Sequence, residues 1–188
     1  TLTVDRQRVL DLCKGIKERG LTLRWQCYAH VNTVEPEMLK AMADAGCYVI
    51  RYGVEAGSDD TLRIIKKGST LDRIRKAFKA TQDAGIKAYG TFMFGLPGET
   101  KASCEETIKF AIDLDPDFVQ FSIVTPFPGT QLYDDFLAEG RILAPEWSEF
   151  NGNLKPVYEL SDLSREDMQK MLKKAWRSFY LRPKKVWQ

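Results

Sequence analysis

Apolar positions along this chain follow two spacings, one typical of helices and one typical of strands. Near the amino terminus, apolar side chains recur every three or four residues, which predicts a helix that begins at Asp5 and ends at Gly20. Residues 21–31 then alternate apolar and polar side chains, which predicts a strand with one buried face. The same succession of helical and strand spacing continues to about residue 140.

Three more apolar runs predict further strands, and each is followed by a segment with helical spacing. These strands cover residues 47–54, 86–94 and 118–124. Repeated strand–helix units joined by short loops predict a parallel sheet with right-handed crossovers. Four such units make about half of an eight-stranded barrel. We therefore predict an α/β fold, a partial (β/α) TIM-like barrel fragment with about four parallel strands and a carboxyl-terminal helix.

Residues that favour helix ends mark the helix boundaries. Serine and threonine accept hydrogen bonds from the free N–H groups of a first turn, and glycine adopts the left-handed conformation that often follows a last turn. On this basis we predict helix-starting caps at Ser58, Ser69, Thr100, Thr130 and Ser164. We also predict that Gly68 ends the short helix that follows Ser58.

The regular spacing of apolar residues ends after residue 143. Residues 144–160 show neither helical nor strand spacing, and a last helix with one apolar stripe then follows Ser164. We therefore predict two parts, a partial barrel over residues 1–143 and a helical extension over residues 144–188 that packs on it. Because the first residue is Thr1 rather than methionine, we expect the chain to be a piece of a longer protein.

Composition narrows the class of protein. Of 188 residues, 44% are hydrophobic and 29% are charged, as in ordinary globular domains. The net charge of +2 and the absence of a long apolar run lead us to expect neither a nucleic-acid partner nor a membrane span. The cysteines lack the Cys-x-x-Cys spacing of metal sites, so we expect reduced core thiols, no metal site in this chain and a cytoplasmic location. They are Cys13, Cys27, Cys47 and Cys104.

The most distinctive stretch is residues 89–100, an apolar run that ends in a loop of glycine and proline. Gly95 and Gly98 flank Leu96 and Pro97, and glycine lets a ligand approach the backbone closely. A strand, a tight loop and a helix start form the layout in which α/β proteins bind ligands. The loop is compatible with a phosphate-bearing ligand at a helix amino terminus, in a small α/β binding domain, and also with a module that only packs.

Three stretches together resemble consecutive strand ends of radical S-adenosylmethionine enzymes. They are residues 52–58 (YGVEAGS), 93–100 (MFGLPGET) and 125–133 (TPFPGTQLY). The chain is most similar to the cobalamin-dependent class, which includes the anaerobic magnesium-protoporphyrin IX monomethyl ester cyclases. The resemblance implies an oxidoreductase-type enzyme that reductively cleaves S-adenosylmethionine to a 5′-deoxyadenosyl radical. The radical would serve oxidative cyclisation or methyl transfer on a small-molecule substrate, a tetrapyrrole or a similar compound.

The resemblance also implies cofactors and the segments that hold them. The family binds S-adenosylmethionine and a 4Fe-4S cluster, and this class binds cobalamin through an upstream domain. The Cys-x-x-x-Cys-x-x-Cys motif that holds the cluster does not occur in this sequence. We therefore expect the cluster and cobalamin to belong to upstream segments missing from this chain, and the isolated chain to be inactive. No residue is assigned a catalytic role.

Cofactor-binding residues follow from position in the resemblance. Glu55 stands where the family places a polar side chain near the ribose of S-adenosylmethionine, and a carboxylate can accept hydrogen bonds from both ribose hydroxyls. The resemblance implies that Gly95, Leu96 and Gly98 form the adenine-side wall through backbone groups. Pro126, which follows the fourth strand, is expected to face the adenine.

His30 is the only histidine of the chain. It falls at a strand end where relatives often carry arginine, so the resemblance makes it a candidate for contact with substrate. Two other classes of protein remain compatible with the sequence besides an enzyme. One is a small α/β domain that binds a phosphate-bearing ligand, and the other is a non-catalytic packing module.

Overall fold

Four parallel strands form one sheet in a computed structural model that describes residues 1–144, 146–150 and 155–186. Successive strands are neighbours, in the order β1-β2-β3-β4. They are β1 Trp25–Ala29, β2 Cys47–Glu55, β3 Lys87–Phe94 and β4 Phe118–Ile123. Parallel neighbours require a crossover connection, and each crossover here contains at least one helix. The predicted α/β fold with four parallel strands is confirmed.

Helices precede, connect and follow the strands. They are α1 Arg6–Glu18, α2 Pro36–Asp44, α3 Asp59–Ile64, α4 Leu71–Asp83, α5 Lys101–Leu114, α6 Gln131–Ala138, α7 Arg165–Tyr180 and α8 Pro183–Val186. Single 3-10 turns cover Leu2–Val4, Val31–Thr33 and Trp147–Glu149. Over the described ranges, none of these helices has the length and apolar character needed to cross a membrane.

Most helix starts agree with the caps predicted from the sequence. Among the predicted caps, the side chains that accept a hydrogen bond from an amide of the first turn are those of Asp5, Thr100, Thr130 and Ser164. Ser58 precedes α3 as predicted but makes no side-chain cap bond. The cap predicted at Ser69 is wrong, because α4 begins one position later than its spacing suggested. Thr70 has the extended conformation of an N-cap there and accepts from the amide of Arg73 at 3.3 Å.

The first strand is shorter than the predicted range 21–31. Strand pairing with β2 covers only Trp25–Ala29, with Cys27 and Ala29 buried as the alternation predicted. Leu21 and Leu23 lie before the paired residues and are 49% and 45% exposed. The alternation of apolar and polar residues therefore extends beyond the residues that pair, because pairing depends on the position of β2 and not on the pattern of one strand.

The chain divides into two compact units. The first contains residues 1–54, 68–91 and 113–120. Its core includes Tyr52, whose ring lies 5.1 Å from that of Phe78 and whose hydroxyl lies 2.7 Å from the hydroxyl oxygen of Thr81. Since Thr81 donates to the carbonyl of Ala77, Tyr52 donates to Thr81. This buried pair joins β2 to α4 within the first unit.

The second unit contains residues 55–67, 92–112 and 121–188, within the described ranges. Its core is built around Phe121, whose ring centroid lies 5.4 Å from Phe92 and 5.9 Å from Phe94. The predicted stripe of α7 packs in this core, with Met168 and Phe179 fully buried. Residues 145, 151–154 and 187–188 of the predicted extension lie outside the described residues.

Candidate functional site

Glu55, the last residue of β2, has an unusual backbone and an unusual side chain. Its φ of 72° lies in the left-handed region, which costs a non-glycine residue on the order of 1–3 kcal/mol. Its Oε1 accepts from the Nζ of Lys67 at 2.8 Å. Its Oε2 is buried and, among the described residues, has no hydrogen-bond partner. Buried polar atoms are normally satisfied, so Oε2 is a free acceptor suited to a ligand hydroxyl or amine.

A left-handed turn at Lys66 places Lys67 beside Glu55. The amide of Lys66 donates to the carbonyl of Arg63 at 3.0 Å, and the amide of Lys67 donates to the carbonyl of Leu62 at 2.9 Å. This is the hydrogen-bond pattern that commonly ends a helix with glycine in the left-handed position. The predicted end at Gly68 is therefore wrong. Lys66 itself takes the left-handed position, with φ 54°, because α3 stops at Ile64.

The loop after β3 is closed by the carboxylate of Glu99. Its Oε2 accepts from the amides of Gly95 and Leu96, at 2.7 and 2.9 Å. The carbonyl of Gly95 accepts from the hydroxyl of Tyr158, which reaches it from the carboxyl-terminal part of the chain. Gly95 has φ 84°, a conformation that glycine adopts without strain. The peptide groups of Gly95 are therefore already bonded within the protein.

This closure disfavours the alternative of a phosphate-binding loop. A phosphate at the start of α5 would need free amide groups and a positive local field. The amides of Gly95 and Leu96 instead donate to a buried carboxylate, and Glu99 is only 2% exposed. A phosphate placed there would find both amides already bonded to Glu99.

Burial raises the pKa of Glu99 to about 7, against the opposing effect of the two amide hydrogen bonds. The second carboxylate oxygen, Oε1, is buried and has no partner among the described residues. An ionised carboxylate with one bare oxygen is costly in a site of low dielectric constant. Glu99 therefore carries a proton in the folded chain over a pH range in which a solvent-exposed glutamate is ionised.

We expect this carboxyl group to make folding stability fall as pH rises. Below the usual pKa of 4.5 the group is protonated in both states, whereas between 4.5 and about 7 only the folded chain keeps the proton. In this pH range unfolding releases a proton, so the free energy of unfolding falls as pH rises. Glu99→Gln removes this titration while keeping an acceptor for Gly95 and Leu96. Between pH 5 and 8, wild type should lose about 2 kcal/mol of unfolding free energy relative to the variant.

Urea unfolding of both proteins at several pH values measures this difference. The matched control is Glu106→Gln, which removes an exposed carboxylate from α5. The control should show the pH dependence of wild type. A constant difference between wild type and Glu99→Gln from pH 5 to 8 would show that Glu99 titrates normally.

The other predicted site residues differ in exposure. Gly98 is exposed, and Pro126 is buried just after β4. Gly98 and Pro126 belong to the second unit, as do Glu55, Gly95 and Leu96. His30 belongs to the first unit, where its Nδ1 accepts from the amide of Asn32 at 3.2 Å.

All four cysteines are free and buried, as the sequence predicted for core thiols. Three belong to the first unit, and Cys104 belongs to the second. Over the described ranges, no group of three or more His, Cys, Asp or Glu side chains is placed to hold a metal ion. These residues therefore do not fit the ligand set of the iron–sulfur cluster that the resemblance implies.

A cavity of about 250 Å³ is lined in part by Pro97, Gly98 and Glu99 of the loop after β3. Arg141 also lines it, and its guanidinium pairs with Glu139. Since Arg141 is already paired and Oε1 of Glu99 is fully buried, the cavity offers weaker evidence for a ligand than Glu55 does.

The family model described as the radical SAM superfamily matches residues 3–111. An uncharacterized methyltransferase of Pyrococcus horikoshii is 39% identical over 98% of this chain and 40% of its own length. The anaerobic magnesium-protoporphyrin IX monomethyl ester cyclase of Cereibacter sphaeroides is 28% identical over 96% of this chain and 30% of its own length. The chain thus spans well under half of these curated relatives.

Two solved structures share the fold of this chain. The radical S-adenosylmethionine methyltransferase TsrM from Kitasatospora setae, with cobalamin and a [4Fe-4S] cluster bound, gives a TM-score of 0.63. The two sequences are 19% identical, and the match covers 88% of this chain and 35% of that structure. Coproporphyrinogen III oxidase from Escherichia coli gives a TM-score of 0.62 at 16% identity, over 95% of this chain and 37% of that structure. At these identities the likeness concerns the fold alone.

Proposed function

This chain belongs to the radical S-adenosylmethionine superfamily, a family of enzymes, and on that premise we propose that its second unit holds the adenosyl part of S-adenosylmethionine. The parent enzyme would cleave this cofactor reductively to support oxidative cyclisation or methyl transfer. S-adenosylmethionine, when bound, supplies the carbon–sulfur bond that such enzymes break. The protein's own residues bind the nucleoside, orient it and keep water away.

The free acceptor on Glu55 is the observation that carries this proposal. Oε2 is buried without a partner among the described residues, at the carboxyl end of a parallel strand where α/β proteins bind ligands. The left-handed backbone of Glu55 adds support, since strain of this kind collects at functional sites. A ribose hydroxyl donating to Oε2 would satisfy the buried oxygen. We therefore assign Glu55 to the ribose.

The loop after β3 would contribute shape and not hydrogen bonds. Because Gly95 and Leu96 already donate to Glu99, we propose that they and Gly98 line the adenine by close contact of backbone atoms. Pro126 would contribute an apolar face from the loop after β4. Glu99 would support this wall by holding the loop in place through its hydrogen bonds to Gly95 and Leu96.

The proposal places the 4Fe-4S cluster and cobalamin outside this chain. Its described residues hold no metal-ligand group, and the cluster motif does not occur in the sequence. For the substrate we propose a tetrapyrrole or similar compound. Support comes from the names of two relatives, the cyclase above and a bacteriochlorophyllide d C-8(2)-methyltransferase of Chlorobaculum tepidum that is 26% identical over 80% of this chain and 34% of its own length.

Calorimetric titration of the complete protein with S-adenosylhomocysteine tests the assignment of Glu55. Removing a charged acceptor from a ligand hydroxyl costs roughly 1.5–3 kcal/mol, so Glu55→Gln should weaken binding at least tenfold. The matched control is Asp60→Asn, an exposed carboxylate of α3 that pairs with Arg63, and it should bind as wild type does. Equal affinities for wild type and Glu55→Gln would exclude Glu55 from the site.

A further inference from the structure

Lys67 is the charged group that contacts Glu55, and the family resemblance assigns it no role. Its Nζ lies 2.8 Å from Oε1 of Glu55, and the two side chains are 18% and 17% exposed. Ion pairs elsewhere in the described part of the chain are far more exposed, such as that of Lys79 with Asp83, at 76% and 61%. Partial burial shields the Glu55–Lys67 pair from water, so the lysine restrains the carboxylate more strongly than a surface partner would.

The backbone around this pair is strained at both ends. Glu55 and Lys66 are two of the three non-glycine residues with positive φ among the described residues. They precede and follow α3. Glycine at position 66 would adopt the same conformation without strain. The fold therefore retains two unfavourable conformations, one at Glu55 itself and one directly before Lys67.

The contact leaves the two carboxylate oxygens of Glu55 unequal. Oε1 is held by the ammonium group, whereas Oε2 is buried without a partner over the described ranges. A glutamate with no such partner turns freely about its last torsion, which is broad and nearly two-fold. The lysine removes this freedom and offsets the cost of a carboxylate that is mostly out of water.

We propose that Lys67 is a positioning residue for Glu55: it holds Oε1 so that Oε2 is presented to a ribose hydroxyl of the adenosyl ligand. This inference rests on the proposed function, because it needs an adenosyl ligand at Glu55. It adds a residue 12 positions along the chain whose charge prepares the site before the ligand arrives. Preorganisation of this kind raises affinity by lowering the cost of ordering the site.

Binding of S-adenosylhomocysteine to the complete protein tests the inference through a double-mutant cycle of Lys67→Met and Glu55→Gln. Lys67→Met alone should weaken binding about tenfold, since it frees the carboxylate. In the Glu55→Gln background the same change should have no further effect. Lys67→Arg, which keeps the charge, should restore most of the affinity. Lys66→Met is the matched control, because Lys66 is exposed and the change leaves a non-glycine residue at the turn.

Ribose selectivity gives a readout that a purely structural lysine would not change. The preference of the protein for adenosine over 2′,3′-dideoxyadenosine, measured by competition with S-adenosylhomocysteine, should fall toward one in Lys67→Met. If Lys67→Met does not fold, Lys67→Gln serves in its place, because it removes the charge and is too short to place a donor where the Nζ of Lys67 lies. An unchanged preference in folded Lys67→Met or Lys67→Gln would overturn the inference.

The two proposals fail differently. If Glu55→Gln binds S-adenosylhomocysteine as wild type does, the assignment of Glu55 is wrong and Lys67 has nothing to position. If Glu55→Gln weakens binding while Lys67→Met does not, the proposed function stands and only the role of Lys67 is wrong. Additive effects of the two changes would also contradict positioning, since they would mean that Lys67 acts independently of Glu55.

Discussion

Tyr158→Ala is expected to lower the free energy of unfolding by about 4 kcal/mol. Tyr158 is fully buried in the second unit, and its ring centroid lies 4.7 Å from that of Phe136. Its hydroxyl donates to the carbonyl of Gly95, so truncation creates a cavity and also leaves that carbonyl without its donor. The loop after β3 should loosen as a result. Urea unfolding measures the loss of stability.

Two further variants separate packing from the hydrogen bond. Tyr158→Phe keeps the ring and removes the donor to Gly95, so it should cost about 1–2 kcal/mol. Tyr28→Ala is the control for loss of an aromatic ring, because Tyr28 is 65% exposed, and it should cost less than about 1 kcal/mol. If Tyr158→Ala and Tyr28→Ala cost the same, Tyr158 does not support the loop by burial.

Gly57→Ala is expected to destabilise the chain by about 3 kcal/mol through overpacking. A Cβ at this position would lie 2.5 Å from the Cα of Thr107 and 2.7 Å from the carbonyl oxygen of Glu106. Both atoms belong to the backbone of α5 and cannot move without the helix. The displacement would also strain the bond of 2.9 Å from the amide of Gly57 to the hydroxyl of Thr107.

A glycine elsewhere in the chain provides the comparison for Gly57. A Cβ on Gly15 would approach only the end of the flexible Arg19 side chain, and alanine is the better helix former. Gly15→Ala should therefore be neutral or stabilising by up to about 1 kcal/mol. Thr107→Val, which removes only the hydroxyl partner of Gly57, should cost about 1–2 kcal/mol. Wild-type stability in Gly57→Ala would mean that α5 does not pack against this segment.

The order and type of the elements could be predicted from the sequence because they depend on local spacing. Four apolar runs became β1 to β4, and the caps at Thr100 and Thr130 formed as predicted. The errors concern boundaries. β1 is shorter than its pattern because its length depends on pairing with β2, and α3 ends at Ile64, so that Lys66 adopts a left-handed conformation two residues before Gly68 does.

The site was predictable only in part. The motif around Glu55 drew attention to a residue whose Oε2 is buried without a partner among the described residues, and the loop of Gly95 to Gly98 was evident from its glycines. Neither motif indicated that Lys67 would hold one oxygen of Glu55. A lysine pair at the end of a short helix is typical of a solvated surface, whereas in the structure the Nζ of Lys67 donates to Oε1 of Glu55 at 2.8 Å.

The sequence by itself determined the α/β fold, most of the helix caps and the family, because hydrophobic period, capping chemistry and short motifs are local properties of the chain. Only the tertiary structure decided which polar groups meet. Tyr158 is 63 positions from Gly95 in the chain, yet its hydroxyl bonds that residue. Glu99, a charged residue in the sequence, is only 2% exposed, and burial raises its pKa to about 7. Burial and long-range contacts depend on how all elements pack, and no local pattern encodes them.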